Sequence, residues 1–220
     1  MKHLLTSLLL GVLLFAGTES LAQLRIGIKG GYSRVWQDYG PDVNLPEDAR
    51  THLHRSNLGL IIEKDLGSMF NLSLEPGLAQ RGAACIPGFI DFIGDAELRV
   101  DYVEVPLMVS SEFFLIKDKL SISIRAGLNG AVALKAVQRQ MFFNEDTPDQ
   151  FVDVAIGNFG TVNRFDVGVQ GGIQFRIPFG KQSILIGSDM YTSFMNAVNF
   201  TTSSNRDFRL YGGIVRTLGK

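Results

Sequence analysis

The chain has 220 residues, and its 21 lysines and arginines nearly balance 22 aspartates and glutamates, for a formal net charge of −1. That balance gives no support for a nucleic-acid partner. Cys85 is the only cysteine, so no intramolecular disulfide forms, and a disulfide-stapled secreted domain is excluded.

Lys2 and His3 precede the apolar run "LLTSLLLGVLLFAG", which is shorter than a full bilayer span, and "TESLAQ" follows it. Ser20 and Ala22 are the small residues a signal peptidase requires, which predicts that residues 1–22 are removed and the mature chain starts at Gln23. The alternative, an N-terminal membrane anchor, fits the short run less well. No cysteine lies near the cut for lipid attachment, and beyond Gln23 no apolar run reaches about 18 residues, so no helix is expected to span a membrane.

Eight segments then alternate with the period of two that marks a strand. They are residues 24–36, 56–66, 70–82, 99–111, 119–135, 164–179, 183–195 and 207–218. In the fifth, Leu120, Ile122, Ile124, Ala126 and Leu128 oppose Ser121, Ser123, Arg125 and Asn129. In the sixth, Phe165, Val167, Val169, Ile173, Phe175 and Ile177 oppose Asp166, Gln170, Gln174 and Arg176. Helical periodicity is absent after the signal, so the chain is all-β.

The connections say what the two faces meet. Three links are short ("GSM", "EFFLIKD" and "PFGKQ"), and the links 37–55, 83–98, 136–163 and 196–206 are long. Strict alternation of short and long links is the pattern of a membrane barrel, with short periplasmic turns and longer outer loops. Strands of about 10–13 residues suit its apolar band of about 25 Å, and an even strand number leaves both ends on one side. The expected fold is an eight-stranded antiparallel up-and-down transmembrane β-barrel formed by residues 23–220. A soluble lipocalin-like barrel fits the alternation but leaves the loop pattern unexplained.

With the apolar parity facing lipid, Lys29, Glu63, Glu75, Arg81, Glu104, Arg125, Asp166 and Arg176 project inward. Both signs occur in similar number, which predicts a structural network of ion pairs filling a narrow lumen. Glycine pairs at 30–31, 171–172 and 212–213 fall in mid-strand, where they permit tight bending. Strands one and eight meet at closure, so "KGGYS" and "YGGIV" form one curved strip, with Tyr32 and Tyr211 placed to cover its backbone.

No catalytic, cofactor or metal site is predicted. His52 and His54 in the first long loop supply at most two metal ligands. Ser110, Ser111 and Glu112 have no histidine placed beside them, as a nucleophilic triad requires. Glu75 and Glu104 could be paired acid–base carboxylates, but their basic neighbours favour salt bridges. Cys85 reads as an incidental thiol. Loops 83–98 and 136–163 hold large apolar groups: Ile86, Phe89, Ile90, Phe92 and Ile93, then Met141, Phe142, Phe143 and Phe151. Two uses are open to them, burial over the barrel mouth or binding of an extracellular ligand or protein, and burial is favoured.

The stretches "LSLEPGLAQRGA" (72–83) and "VDYVEVPLMV" (100–109) resemble the porin-like outer-membrane β-barrel family of Bacteroidota-type bacteria, which includes PorT-like proteins. Glu75, Gln80, Arg81, Gly82 and Ala83 match the first family strand; Tyr102, Glu104, Pro106 and Leu107 match the second. "IGIKGGYS" resembles the family's opening strand, while "RTLGK" departs from the aromatic ending of many outer-membrane barrels. The resemblance implies an outer-membrane location and no single activity. The leading expectation is a structural or loop-mediated binding role. A small passive pore is next, then an accessory to protein export, and an enzyme last.

Overall fold

The computed structural model describes residues 23–39, 52–67, 69–84, 96–117, 119–140, 150–157, 162–198 and 203–218. The expected signal peptide, Cys85, and the loop residues Ile86, Phe89, Ile90, Phe92, Ile93, Met141, Phe142 and Phe143 lie outside that set. The strands are β1 (Leu24–Tyr39), β2 (Leu53–Asp65), β3 (Phe70–Leu74), β4 (Gly77–Ala84), β5 (Ala96–Ile116), β6 (Leu120–Gln140), β7 (Gln150–Asp153), β8 (Phe165–Phe179), β9 (Gln182–Asn196) and β10 (Ser203–Leu218). Every strand pairing is antiparallel, and β10 pairs with β1 to close a ring of eight staves, with β3 and β4 end to end as one stave. β7 stands outside the ring, as a short addition to the outer end of β6.

The third stave corrects the single strand expected over 70–82. It breaks at Glu75 and Pro76, because Leu60 N donates to Pro76 O at 2.8 Å and proline has no N–H to return the bond. Register survives the break, since β3 and β4 meet β5 in step. β5 and β6 are also longer than expected, 21 residues each. They take up Glu112–Ile116 of the supposed link "EFFLIKD" and the near ends of two supposed loops, residues 96–98 of 83–98 and 136–140 of 136–163. The turn from β8 to β9 needs only Gly180 and Lys181, and Gly180 sits at φ +64°, a conformation cheap for glycine in a tight hairpin.

The stagger follows from the register. Outward-facing positions pair in the order Ile26, Ile62, Leu74, Leu107, Leu128, Val169, Thr192, Arg206 and Trp36, which returns to β1 ten residues above the start. Ten residues of about 3.3 Å spread over eight strands about 4.8 Å apart give a tilt of about 40°. About ten residues then cross an apolar band of about 25 Å, so β5 and β6 project well beyond it.

The faces separate cleanly. Leu107, Leu128, Val169, Ile173, Ile186 and Ile214 are exposed on the outside, while the polar residues that alternate with them are buried. Nearer the long-loop end the interior turns apolar. There Leu98, Val100, Tyr102, Ala131, Ala133, Ala136, Val162 and Val198 form a buried cluster with Val154 and Ile156 against it. Phe151, expected to be buried, is 71% exposed on β7, where it faces Arg139.

The glycine strip forms as the spacing implied, with Gly30 opposite Gly212 and Gly31 opposite Tyr211. The two tyrosines do not share it. Tyr32 points outward, and Tyr211 points inward, where its ring covers Gly187 of β9.

Candidate functional site

The polar parity builds the lumen in three storeys. At the short-turn end, Arg176 binds Glu63 at 2.7 Å and Glu112 at 3.1 Å. Arg25 pairs with Glu63 and with Asp65 at 2.8 Å. Asn71 and Ser121 donate to Glu112, so the glutamate of "SSE" is part of this lumen layer. A vestibule of about 580 Å³ opens below this layer, lined by Arg25, Asp65, Asn71, Glu112, Ser121 and Arg176 among others.

In the middle storey Glu75 accepts from Lys29 at 2.5 Å and from Arg125 at 2.6 Å. Arg125 also faces Asp189 at 3.2 Å and donates to Gln174 at 3.0 Å. The Tyr211 ring lies under Lys29, 4.8 Å from centroid to Nζ.

The upper storey is the densest. Arg81 reaches Glu104 at 2.6 Å, Asp166 at 2.9 Å and Asp207 at 3.3 Å, with its guanidinium 4.0 Å from the Tyr191 ring centroid. Arg209 pairs with Asp207 at 2.7 Å and with Glu104. Asn129 donates to Glu104 and to Gln170, each at 3.0 Å, and Gln170 donates to Asp189 at 2.8 Å. That relay joins the upper and middle storeys. Gly82, at φ +148°, lets β4 bend inward beside Arg81; a Cβ there would stand 1.8 Å from Leu98 O.

All eight residues expected in the lumen are buried, and each has an ion-pair partner. They do not form one cluster: Glu75 and Glu104 belong to different storeys, each between cations. Sequence reasoning missed Arg25, Asp65, Glu112, Asp189, Asp207 and Arg209. Asp207 and Arg209 share the parity of Tyr211 in "DFRLY", so alternation alone could have found them.

The two histidines lie on the outer wall. His54 belongs to β2 and stacks on Tyr32 with centroids 5.4 Å apart, while His52 meets Trp36 edge-on at 5.2 Å. Partial burial, then Arg34 and His54, hold the His52 imidazole below its ordinary pKa. Among the described residues no group of three or more His, Cys, Asp or Glu is placed to hold a metal.

Comparison with known proteins agrees with this architecture. The family described as an outer membrane protein beta-barrel domain matches residues 15–199. No curated protein matches the chain. Among solved structures it is similar to a major outer membrane protein from Thermus thermophilus, at 12% identity and a TM-score of 0.54, covering 90% of this chain and 100% of that one. It is also similar to OprG from Pseudomonas aeruginosa, at 10% identity and a TM-score of 0.52, covering 89% and 96%. At such identities the likeness speaks for the fold alone. A closed eight-stave ring, an apolar outer wall and a family match over most of the sequence have one reading: the chain belongs to the outer membrane protein beta-barrel domain family and resides in the outer membrane.

Proposed function

We propose that this barrel has a structural or binding role, not an enzymatic one, with its lumen sealed by its own side chains and recognition carried by its outer end. One observation carries the reading. The relay from Arg125 through Asp189, Gln170 and Asn129 to Glu104 and Arg81 crosses the interior with almost no exposed atoms. Eight strands enclose only enough room for side chains to fill, and here long ones fill it in charge-matched pairs. Above them the apolar cluster around Leu98 and Val162 closes the long-loop end. β4, β5 and β6 reach that end, and the stretches 83–98 and 136–163 are where an extracellular ligand or protein would dock.

The purified protein in planar bilayers is expected to give little or no steady conductance. Reproducible channels whose ion selectivity changes with Glu104→Gln or Arg125→Gln would replace this reading with a passive pore. An accessory role in protein export, which the resemblance of 72–83 and 100–109 to PorT-like proteins implies, would show as co-isolation of export components with the full chain from native membranes.

A further inference from the structure

The outer wall of β10, β1 and β2 carries a patch that neither the lumen nor the loops account for. Its apolar face ends at Tyr32 on β1, Leu58 on β2 and Phe208 on β10. The next large outward residues are Arg34, His54 and Arg206, and in register Arg34 lies opposite both His54 and Phe208. At the tilt set by the stagger, each residue climbs about 2.5 Å and each strand-to-strand step about 3 Å. Arg34, His54 and Arg206 then fall within about 3 Å of one height, about 25 Å above the Lys64 and Arg216 level, which is the thickness of the apolar band. Any lipid whose chains cover this wall must therefore place its headgroup against these three side chains.

Their chemistry selects the headgroup. Arg206 is already held by Asp38 at 2.6 Å, and elsewhere on the outer wall Arg99 is paired with Asp101, while Arg55, of the inward parity on β2, is paired with Glu97. Arg34 is exposed and has no carboxylate partner among the described residues. Beside it, the Tyr32 hydroxyl is hydrogen-bonded to His54 Nδ1. With the hydroxyl donating, Nε2 carries the ring hydrogen and is free to donate. Tyr32 and Trp36 flank the pair as interfacial aromatics. A guanidinium and an imidazole N–H converging at headgroup level suit a phosphate oxygen.

We propose that Arg34 and His54, framed by Tyr32 and Trp36, form a clamp for the phosphate of an outer-leaflet lipid. The occupant is a membrane lipid rather than free phosphate, because the site lies where the acyl chains on Ile28, Leu58 and Leu210 end. The clamp fixes the barrel's rotational setting relative to its lipid shell and gives the β1–β2 face a preferred lipid neighbour.

The full chain, folded in detergent and checked by heat-modifiable migration, is titrated with diphosphorylated lipid A, dephosphorylated lipid A and a diacylglycerol, the last two carrying no phosphate. Bound lipid is counted by native mass spectrometry. The wild type is expected to retain diphosphorylated lipid A at least fivefold more than either other lipid. Arg34→Gln and His54→Gln should each lower that preference severalfold, whereas Arg99→Gln, which removes an arginine already paired with Asp101, should leave it unchanged. Arg34 and His54 are exposed, so these variants are expected to fold, and migration verifies it. Equal retention of the three lipids, or equal loss in Arg99→Gln, would overturn the clamp. Displacement of the lipid by millimolar inorganic phosphate would also overturn it, by showing a free-anion site.

Discussion

Glu75→Ala tests whether the lumen behaves as a dry ionic network. The change removes the carboxylate that holds Lys29 at 2.5 Å and Arg125 at 2.6 Å, at a position only 2% exposed. Arg125 keeps Asp189 and Gln174. Among the described residues Lys29 keeps only the face of Tyr211, 4.8 Å away. Stranding one partner of a buried pair costs about 3–5 kcal/mol, and the surviving cation–π contact offsets about 1 kcal/mol of it, so a loss of about 2–4 kcal/mol is expected. Glu104→Ala should cost less, about 1–3 kcal/mol, although Glu104 accepts more bonds. Its loss leaves Arg81 with Asp166 and Asp207, and Arg209 with Asp207, so charge-assisted hydrogen bonds are lost but no cation is stranded. Urea-dependent folding into vesicles, followed by the fluorescence of the only tryptophan, Trp36, measures both. Lys29→Met combined with Glu75→Leu should recover most of the loss, because both charges leave together. If Glu75→Ala proves no worse than Glu104→Ala, or the double variant recovers nothing, water reaches the middle storey and the dry-network argument fails.

Two further outcomes follow from the faces and the backbone. Leu107→Arg, near the middle of the outer belt, should cost about 2–4 kcal/mol, and Val169→Arg, nearer the outer edge, should cost less. Gln170→Arg points inward beside Asp189 and should be milder than Leu107→Arg; equal tolerance in the same folding assay would mean the faces are reversed. Gly82→Ala forces a side chain into a backbone at φ +148° and against Leu98 O, with an expected cost of about 1–3 kcal/mol. A Gly82→Ala barrel as stable as the wild type would show that β4 need not bend inward at that point.

Alternation made the barrel legible because lipid and lumen demand opposite chemistry from neighbouring residues, and "SISIRAGLNG" or "RFDVGVQGGIQFRIPF" cannot satisfy both with its parity reversed. The same logic explains what was hidden. Above the belt no lipid enforces an outward apolar parity: in "ELRVD" the alternation is regular but inverted, with Leu98 and Val100 buried and Arg99 exposed, and in "AVQRQ" it weakens, so residues 96–98 and 136–140 read as loop although β5 and β6 run through them. A register shift beside Tyr102 also places Leu134 and Lys135 on the same exposed side, which erases the period. Pro76 was visible, but whether a proline breaks a stave depends on which neighbour its missing N–H faces. The identities of the lumen residues were readable by parity. Their partners were not, because a pair such as Arg81 and Asp166 spans 85 residues of sequence and depends on the stagger.

That dependence runs in both directions. A one-residue slip between staves turns polar groups toward lipid and is forbidden at once. A two-residue slip is different, since it keeps every apolar side chain outside, and the lipid face alone does not choose between such registers. The lumen does choose. Two residues carry a carboxylate about 6.6 Å along its strand, which is beyond the reach of any ion pair in this interior. A slip of β10 against its neighbours would take Asp207 from Arg81, while Asp166 on β8 would stay. A slip of β1 would take Lys29 from Glu75. Net stabilisation from a buried pair is modest once desolvation is counted, but stranding its members is expensive. The network therefore acts chiefly against wrong staggers: among the described residues each buried lumen cation has a carboxylate partner, which favours the ten-residue stagger over those two residues away.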